Sequence, residues 1–237
     1  MGELRQFKKK RLTRVLRFAS LTAHTETTKT TMRNKALLLT AALGTLGTAS
    51  AMAQVYSVNA VGYINVTAPK GFTMFANQLD AGTGNNTVGK LISNVPDGTI
   101  IYKFGTSYEL NTYEFGEWGN PNMTLAPGEG AWILNPGDAA ITMTFVGEVM
   151  QGQLSTEIPQ GFAIRSSKVP QSATMDALGF PAADGDILYF WRNNSYVTYT
   201  YDFGAWDPAN PTPAVGESFW TFVGAAKTWN RTFSVNQ

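Results

Sequence analysis

Few side chains in this sequence can do covalent or acid–base chemistry. There is no cysteine in 237 residues, and the single histidine is His24. Beyond residue 53 the chain has neither His nor Cys, which excludes disulfides, thiolate nucleophiles, Cys/His zinc sites and any imidazole base there. The serines have no histidine partner, and no Ser-x-x-Lys motif occurs. No phosphate loop or dinucleotide fingerprint follows a strand pattern. What remains is carboxylate chemistry. Glu114, Glu117, Asp202 and Asp207 lie among aromatics and are the candidates for a two-carboxylate glycoside hydrolase, although nothing in their spacing fixes a separation. Asp80-Ala81-Gly82-Thr83-Gly84-Asn85-Asn86 is rich in oxygen donors, but it lacks the alternating acids and distal Glu of an EF-hand loop. Its counterpart around Pro170–Thr174 has no acid. It reads as a polar turn, and neither a metal nor a cofactor is expected.

The aromatic residues recur in order, and recognition is the chemistry they offer. Tyr113-Glu114-Phe115-Gly116-Glu117-Trp118 is answered by Tyr201-Asp202-Phe203-Gly204-Ala205-Trp206. Trp118, Trp206, Tyr113 and Tyr201 have two readings: rings that close a core, favoured because aromatics dominate cores generally, or stacking platforms for sugars. Gly128-Glu129-Gly130-Ala131-Trp132 is answered by Gly216-Glu217-Ser218-Phe219-Trp220. Here Gly128 and Gly216 supply a turn, and Trp132 and Trp220 bury a ring on the strand that follows. Glu129 and Glu217 read as caps that accept backbone N–H bonds, because both copies carry them and catalytic groups seldom recur in every copy of a repeat.

These residues sit on a chain that aligns with itself. Gly62 through Phe72 matches Gly152 through Phe162 at an offset of 90. Asp97-Gly98 to Tyr102 matches Asp184-Gly185 to Tyr189 at 87. From Ser107-Tyr108 onward the offset is 88, through Thr144-Phe145 and Thr232-Phe233. Two units follow, 54–147 and 148–237, with no Pro/Ser-rich linker between them, which favours close packing. Within them Tyr63–Thr67, Ile141–Val146 and Tyr196–Tyr201 alternate, while Thr99–Phe104 and Ile187–Trp191 are short apolar runs bounded by Asp-Gly. Val88, Leu91, Ile92 and Val95 have helical spacing after Asn86, with Ser172–Leu178 as the matching place. The expected fold is all-β: two tandem homologous β-sandwich or barrel-like modules, each with at most one short helix.

The address is written ahead of the modules. Residues 1–53 hold ten basic and two acidic side chains, whereas residues 54–237 hold eight and fifteen. Within residues 32–53, Arg33 and Lys35 precede the uncharged run Ala36–Leu46, and Ala51-Met52-Ala53 is a small-x-small cleavage site. This is the layout of a secretory signal peptide. Its apolar run is shorter than the ~20 residues of a membrane span, so no transmembrane span is expected in the mature chain. Residues 1–31 read as a basic upstream extension, with Met32 the better start. The acidic body argues against nucleic acid as a partner.

The order Gly-Phe … Asn-Gln-Leu … Asp-Gly-Thr-x-Ile-Tyr … Leu-x-Pro-Gly-Glu-Gly-x-Trp-Ile, opened by Val58-Asn59-Ala60-Val61-Gly62-Tyr63, resembles a β-rich repeat of exported proteins from Verrucomicrobia and related bacteria. The resemblance spans nearly all of 55–237. The second unit departs from it, with Arg165-Ser166-Ser167-Lys168 in place of Phe75-Ala76-Asn77-Gln78, and Ser218-Phe219 in place of Gly130-Ala131. The resemblance implies location and architecture and no chemistry. The expectation is therefore a non-enzymatic exported protein of the envelope or cell exterior, structural, adhesive or interacting. A carbohydrate-binding role for exposed Trp and Tyr is the alternative, with polysaccharide or other envelope proteins as partners.

Overall fold

The computed structural model describes residues 60–236. The leader readings, and His24 with them, lie outside the described residues. Two modules of the same strand order follow one another. The first comprises β1 (Val61–Ala68), β2 (Gly71–Phe75), a single-turn helix α1 (Val88–Leu91), β3 (Ile100–Phe104), β4 (Tyr108–Glu114), β5 (Glu117–Trp118), β6 (Ala131–Asn135) and β7 (Ile141–Glu148). The second comprises β8 (Gly152–Ile158), β9 (Gly161–Arg165), β10 (Asp186–Arg192), β11 (Ser195–Asp202), β12 (Ala205–Asp207), β13 (Phe219–Val223) and β14 (Lys227–Phe233).

In the first module β1 and β7 form an antiparallel ribbon, and the other strands form a sheet in the order β2-β6-β3-β4-β5. In the second, β8 and β14 form the ribbon, and the sheet runs β9-β13-β10-β11-β12. The period of two decides which side chains meet. On β1 and β7, Ile64, Val66, Met143 and Phe145 turn inward, while Asn65, Thr142 and Thr144 face out. Phe145 stacks on Phe75 of β2 at 6.3 Å, so ribbon and sheet enclose the first core. Leu188, Phe190, Phe219 and Trp229 do the same work in the second.

The sheets are apolar on their other face too. Met74, Tyr102 and Trp132 alternate with the core residues Phe75, Ile101 and Ile133. Ile164, Tyr189, Trp191 and Trp220 do so in the second module. A sheet covered on both faces needs a second partner, and each sheet finds it in the other module. The layers therefore run ribbon, sheet, sheet, ribbon.

The shifting offsets have structural causes. Between Phe75 and Ile100 the first module is three residues longer than the second between the equivalent Arg165 and Ile187, and the extra length accommodates α1. In the second module the matching place, Met175–Gly179, is a turn and not a helix. The Leu178 N–H still reaches Thr174 O and the Phe180 N–H reaches Met175 O, so one loop of chain forms without extending. The later step of one residue comes from the next hairpin. Gly105–Ser107 closes it in the first module, whereas Asn193-Asn194, both at positive φ, turns it in the second.

Candidate functional site

The junction of the modules repeats several contacts with the modules exchanged. Ala76 N–H donates to Gly216 O (2.9 Å), and its equivalent Ser166 N–H donates to Gly128 O (3.1 Å). Trp132 packs against Trp191 (5.4 Å), and in turn Trp220 packs against Phe104 (4.8 Å). Trp132 lies 6.2 Å from Tyr196, and Trp220 lies 6.2 Å from Tyr108. The arrangement is an approximate two-fold. At its centre Gly130 meets Ser218, its own counterpart, and a Cβ on Gly130 would fall 2.5 Å from the Ser218 Cβ. Gly216 is similarly pressed: a Cβ there would lie 2.5 Å from Val66 Cγ2, and its N–H donates to Gln78 Oε1 (2.8 Å). The side chains of Ser218 and Ile164 at Gly130, and of Val66 at Gly216, therefore leave no room for a Cβ, beyond the positive φ of the turn at Gly128 and Gly216.

The two carboxylates of this turn are anchored alike. Glu129 Oε2 accepts the Ala126 N–H and Glu217 Oε2 accepts the Ala214 N–H, both at 2.7 Å. Each also holds a cation from β3 or β10: Lys103 Nζ lies 2.8 Å from Glu129, and Arg192 grips Glu217 through two nitrogens at 2.8 and 2.7 Å. Burial pushes the Glu129 pKa up, but the Lys103 ammonium, its hydrogen bond and the Ala126 N–H outweigh burial and hold the carboxyl below its ordinary value.

Where the junction opens, its rings line a groove of about 410 Å³. Phe72, Tyr102, Tyr108, Leu110 and Trp132 contribute from the first module, and Trp191 and Tyr196 from the second. Trp132 forms the floor, edge-on to Phe72 (89°) and Tyr196 (87°). Tyr108 (48%), Tyr196 (49%) and Leu110 (54%) stand half-exposed at the rim. The lining includes no charged or carboxamide side chain. The Trp191 indole N–H is used by Phe72 O at 3.0 Å, whereas the buried Trp132 indole N–H has no acceptor. Burial raises the Tyr108 pKa, helped by the facing Tyr196. The Trp132 indole beside it opposes the rise without reaching hydrogen-bond geometry. Burial likewise raises Tyr196. The exchanged slot, about 310 Å³, is formed by Phe162, Tyr189, Tyr196 and Trp220, so Tyr196 belongs to both.

The four rings given both a core reading and a sugar-platform reading lie outside the groove. Trp118, Tyr113 and Trp206 are buried, and Tyr201 packs against the second core. The Trp118 indole N–H is spent on Ile92 O (2.8 Å) and that of Trp206 on Asp176 Oδ1 (3.1 Å). These are core rings. Of the tryptophans assigned to the turn, Trp132 and Trp220 do more than fill their own module, since both cross into that junction. The groove residues Phe72, Tyr102, Tyr108, Trp191 and Tyr196 were not singled out by sequence reasoning. The signal that could have found them is the two-sided apolar character of β3 and β10.

The remaining candidates fall into two pairs, one on each module. Glu114 and Glu117 face each other across the tip of the β4–β5 hairpin, and Asp202 and Asp207 lie on the β11–β12 hairpin. None of the four lines the aromatic groove. Asp80 Oδ1 accepts the Gly82 N–H (2.9 Å) and the Asn86 amide (2.6 Å), which locks the polar turn. Among the described residues no group of three or more His, Cys, Asp or Glu could hold a metal ion, and no helix is long and apolar enough to cross a membrane. No protein-family model, curated protein or solved structure matches this chain.

Proposed function

We propose that this chain is a non-enzymatic exported protein of the envelope or cell exterior, and that its work is to hold a partner in the aromatic groove at the module junction. The observation that carries this reading is the groove, where Phe72, Tyr108 and Tyr196 are left half-exposed on one face at the meeting of the two sheets. Exposed aromatics grouped on one face mark recognition surfaces. The leader pattern of residues 32–53, and the resemblance of residues 55–237 to exported verrucomicrobial repeats, supply the location. The two modules read as one unit written twice.

The test is fractionation of cells making the full chain, with and without Leu110→Glu, which places a charge on an exposed groove wall and leaves the cores untouched. The expected result is recovery in the envelope or medium, with the variant exported but retained less on the envelope. Cytoplasmic recovery of the parent chain would end the proposal.

A carbohydrate partner is the second reading. It is favoured by two tyrosine rings, Tyr108 and Tyr196, half-exposed on one face, with hydroxyls able to reach sugar oxygens. Titration with a panel of polysaccharides, read by tryptophan fluorescence, separates it from the first: no change across the panel removes it.

A further inference from the structure

We infer that the groove takes an uncharged, proline-rich segment of a partner protein in the extended polyproline II form. The inference rests on the proposal that the groove is a recognition surface, and it names the chemistry of the occupant.

Charge is the first discriminator. No ionised side chain lines either slot, so a charged ligand would lose hydration without compensation. Hydrogen-bond polarity is the second. The groove offers the hydroxyls of Tyr102, Tyr108 and Tyr196, which can donate to a ligand's carbonyls. The raised pKa values of Tyr108 and Tyr196 keep those two hydroxyls protonated further into alkali. A proline-rich segment is the matching inverse. Proline has no backbone N–H, and the polyproline II helix makes no internal hydrogen bonds, so its carbonyls are free to accept. Sugars present as many donors as acceptors. The carboxylates and carboxamides that would answer those donors are absent from the lining.

Shape is the third discriminator. The walls meet the floor near a right angle, with Phe72 and Tyr196 standing at 89° and 87° to Trp132. Such a notch accepts a compact puckered ring better than a flat one. Symmetry is the fourth. The two slots flank an approximate two-fold and share Tyr196, so a chain crossing from one to the other meets similar walls in reversed order. A polyproline II helix has three residues per turn and evenly spaced carbonyls, and presents much the same outline from either end. The groove is also the open margin of an interface already formed by rings of this chain, so an occupant extends that interface. Aromatic-lined grooves take proline-rich segments in several unrelated recognition domains, where the preformed extended ligand loses little entropy.

The experiment is titration of the full chain with decaproline, monitored by intrinsic tryptophan fluorescence. A Gly-Ser decapeptide of equal length and a cello-oligosaccharide serve as comparators. The expected result is saturable binding of decaproline, at least tenfold tighter than the Gly-Ser peptide, and weakened at least tenfold by Leu110→Glu. Circular dichroism of that variant should match the parent. Decaproline binding no better than the Gly-Ser peptide, or binding indifferent to Leu110→Glu, overturns the inference. Saturable sugar binding abolished by Leu110→Glu, without decaproline binding, overturns the proline assignment and leaves the groove a recognition site. Cytoplasmic recovery in the fractionation experiment strikes the proposed function instead.

Discussion

Glu129 shows how one carboxylate can be read correctly from sequence in its local role and incompletely in its setting. The Pro-Gly-Glu pattern announces a side chain that caps its own turn, and Glu129 Oε2 does accept the Ala126 N–H. Nothing in that pattern reveals Lys103, because the ion pair joins positions 26 residues apart. Since the folded carboxyl is held below its ordinary value near 4.5, Glu129 binds its proton more weakly in the folded than in the unfolded chain. Its stabilising contribution is full above pH 4.5 and is lost as pH falls through the lower folded value. Glu129→Gln should therefore reduce stability at neutral pH and flatten its fall on acidification. Urea unfolding midpoints of parent and variant between neutral and strongly acidic pH check this. Curves that stay parallel throughout would show that Glu129 has no part in the acid limb.

The strands illustrate what periodicity reveals and what it hides. Alternation on β1 and β7 located both strands and their inward faces, because one side meets water. On β3 and β10 both faces are apolar, and no sequence rule says which of them meets the ribbon and which the other module. The groove residues therefore stayed hidden, while Trp118 and Trp206, conspicuous by recurrence, proved to be core. The β4–β5 and β11–β12 hairpins add an oddity at this scale. Phe115 and Phe203 occupy the first turn position with φ of 54° and 52°, each followed by a glycine at positive φ. They are 94% and 100% exposed. Such two-residue turns prefer Asn-Gly, and a left-handed conformation costs a non-glycine residue roughly 1–2 kcal/mol. Phe115→Asn and Phe203→Asn should each stabilise by about 0.5–1 kcal/mol, raising the melting temperature by roughly 2–4 °C per kcal/mol for a chain of this size. Thermal melts of both single variants and their combination check it. A fall in melting temperature would mean that the exposed rings hold the turns in a way their exposure does not show.

For the molecule as a whole, the junction decides whether two cores behave as one. The sequence located the boundary near Gly147 and favoured close packing, since no flexible linker intervenes. It gave no hint of the approximate two-fold, which depends on Gly130 meeting Ser218 in space. Gly130→Ala would bring a methyl to 2.5 Å from the Ser218 Cβ and 2.6 Å from Ile164 Cγ2. Overpacking of this kind costs typically about 1–3 kcal/mol. The parent chain should unfold in one calorimetric transition, and Gly130→Ala should lower it or split it into two. Adding Ser218→Gly should recover part of the loss, not all, because the β-branched Ile164 still crowds the site. Indifference of the melt to Gly130→Ala would show that the modules do not depend on this contact.

Placing both halves of a two-fold on one polypeptide frees them from being identical. In a symmetric pair of separate chains, any change to one slot appears in both. Here Leu110 walls the larger slot while Thr198 occupies the equivalent place beside the smaller, and Trp191 stands where the other half has Phe104. The tether lets the lining of one slot change while its twin keeps its own, so the two can diverge within a single molecule.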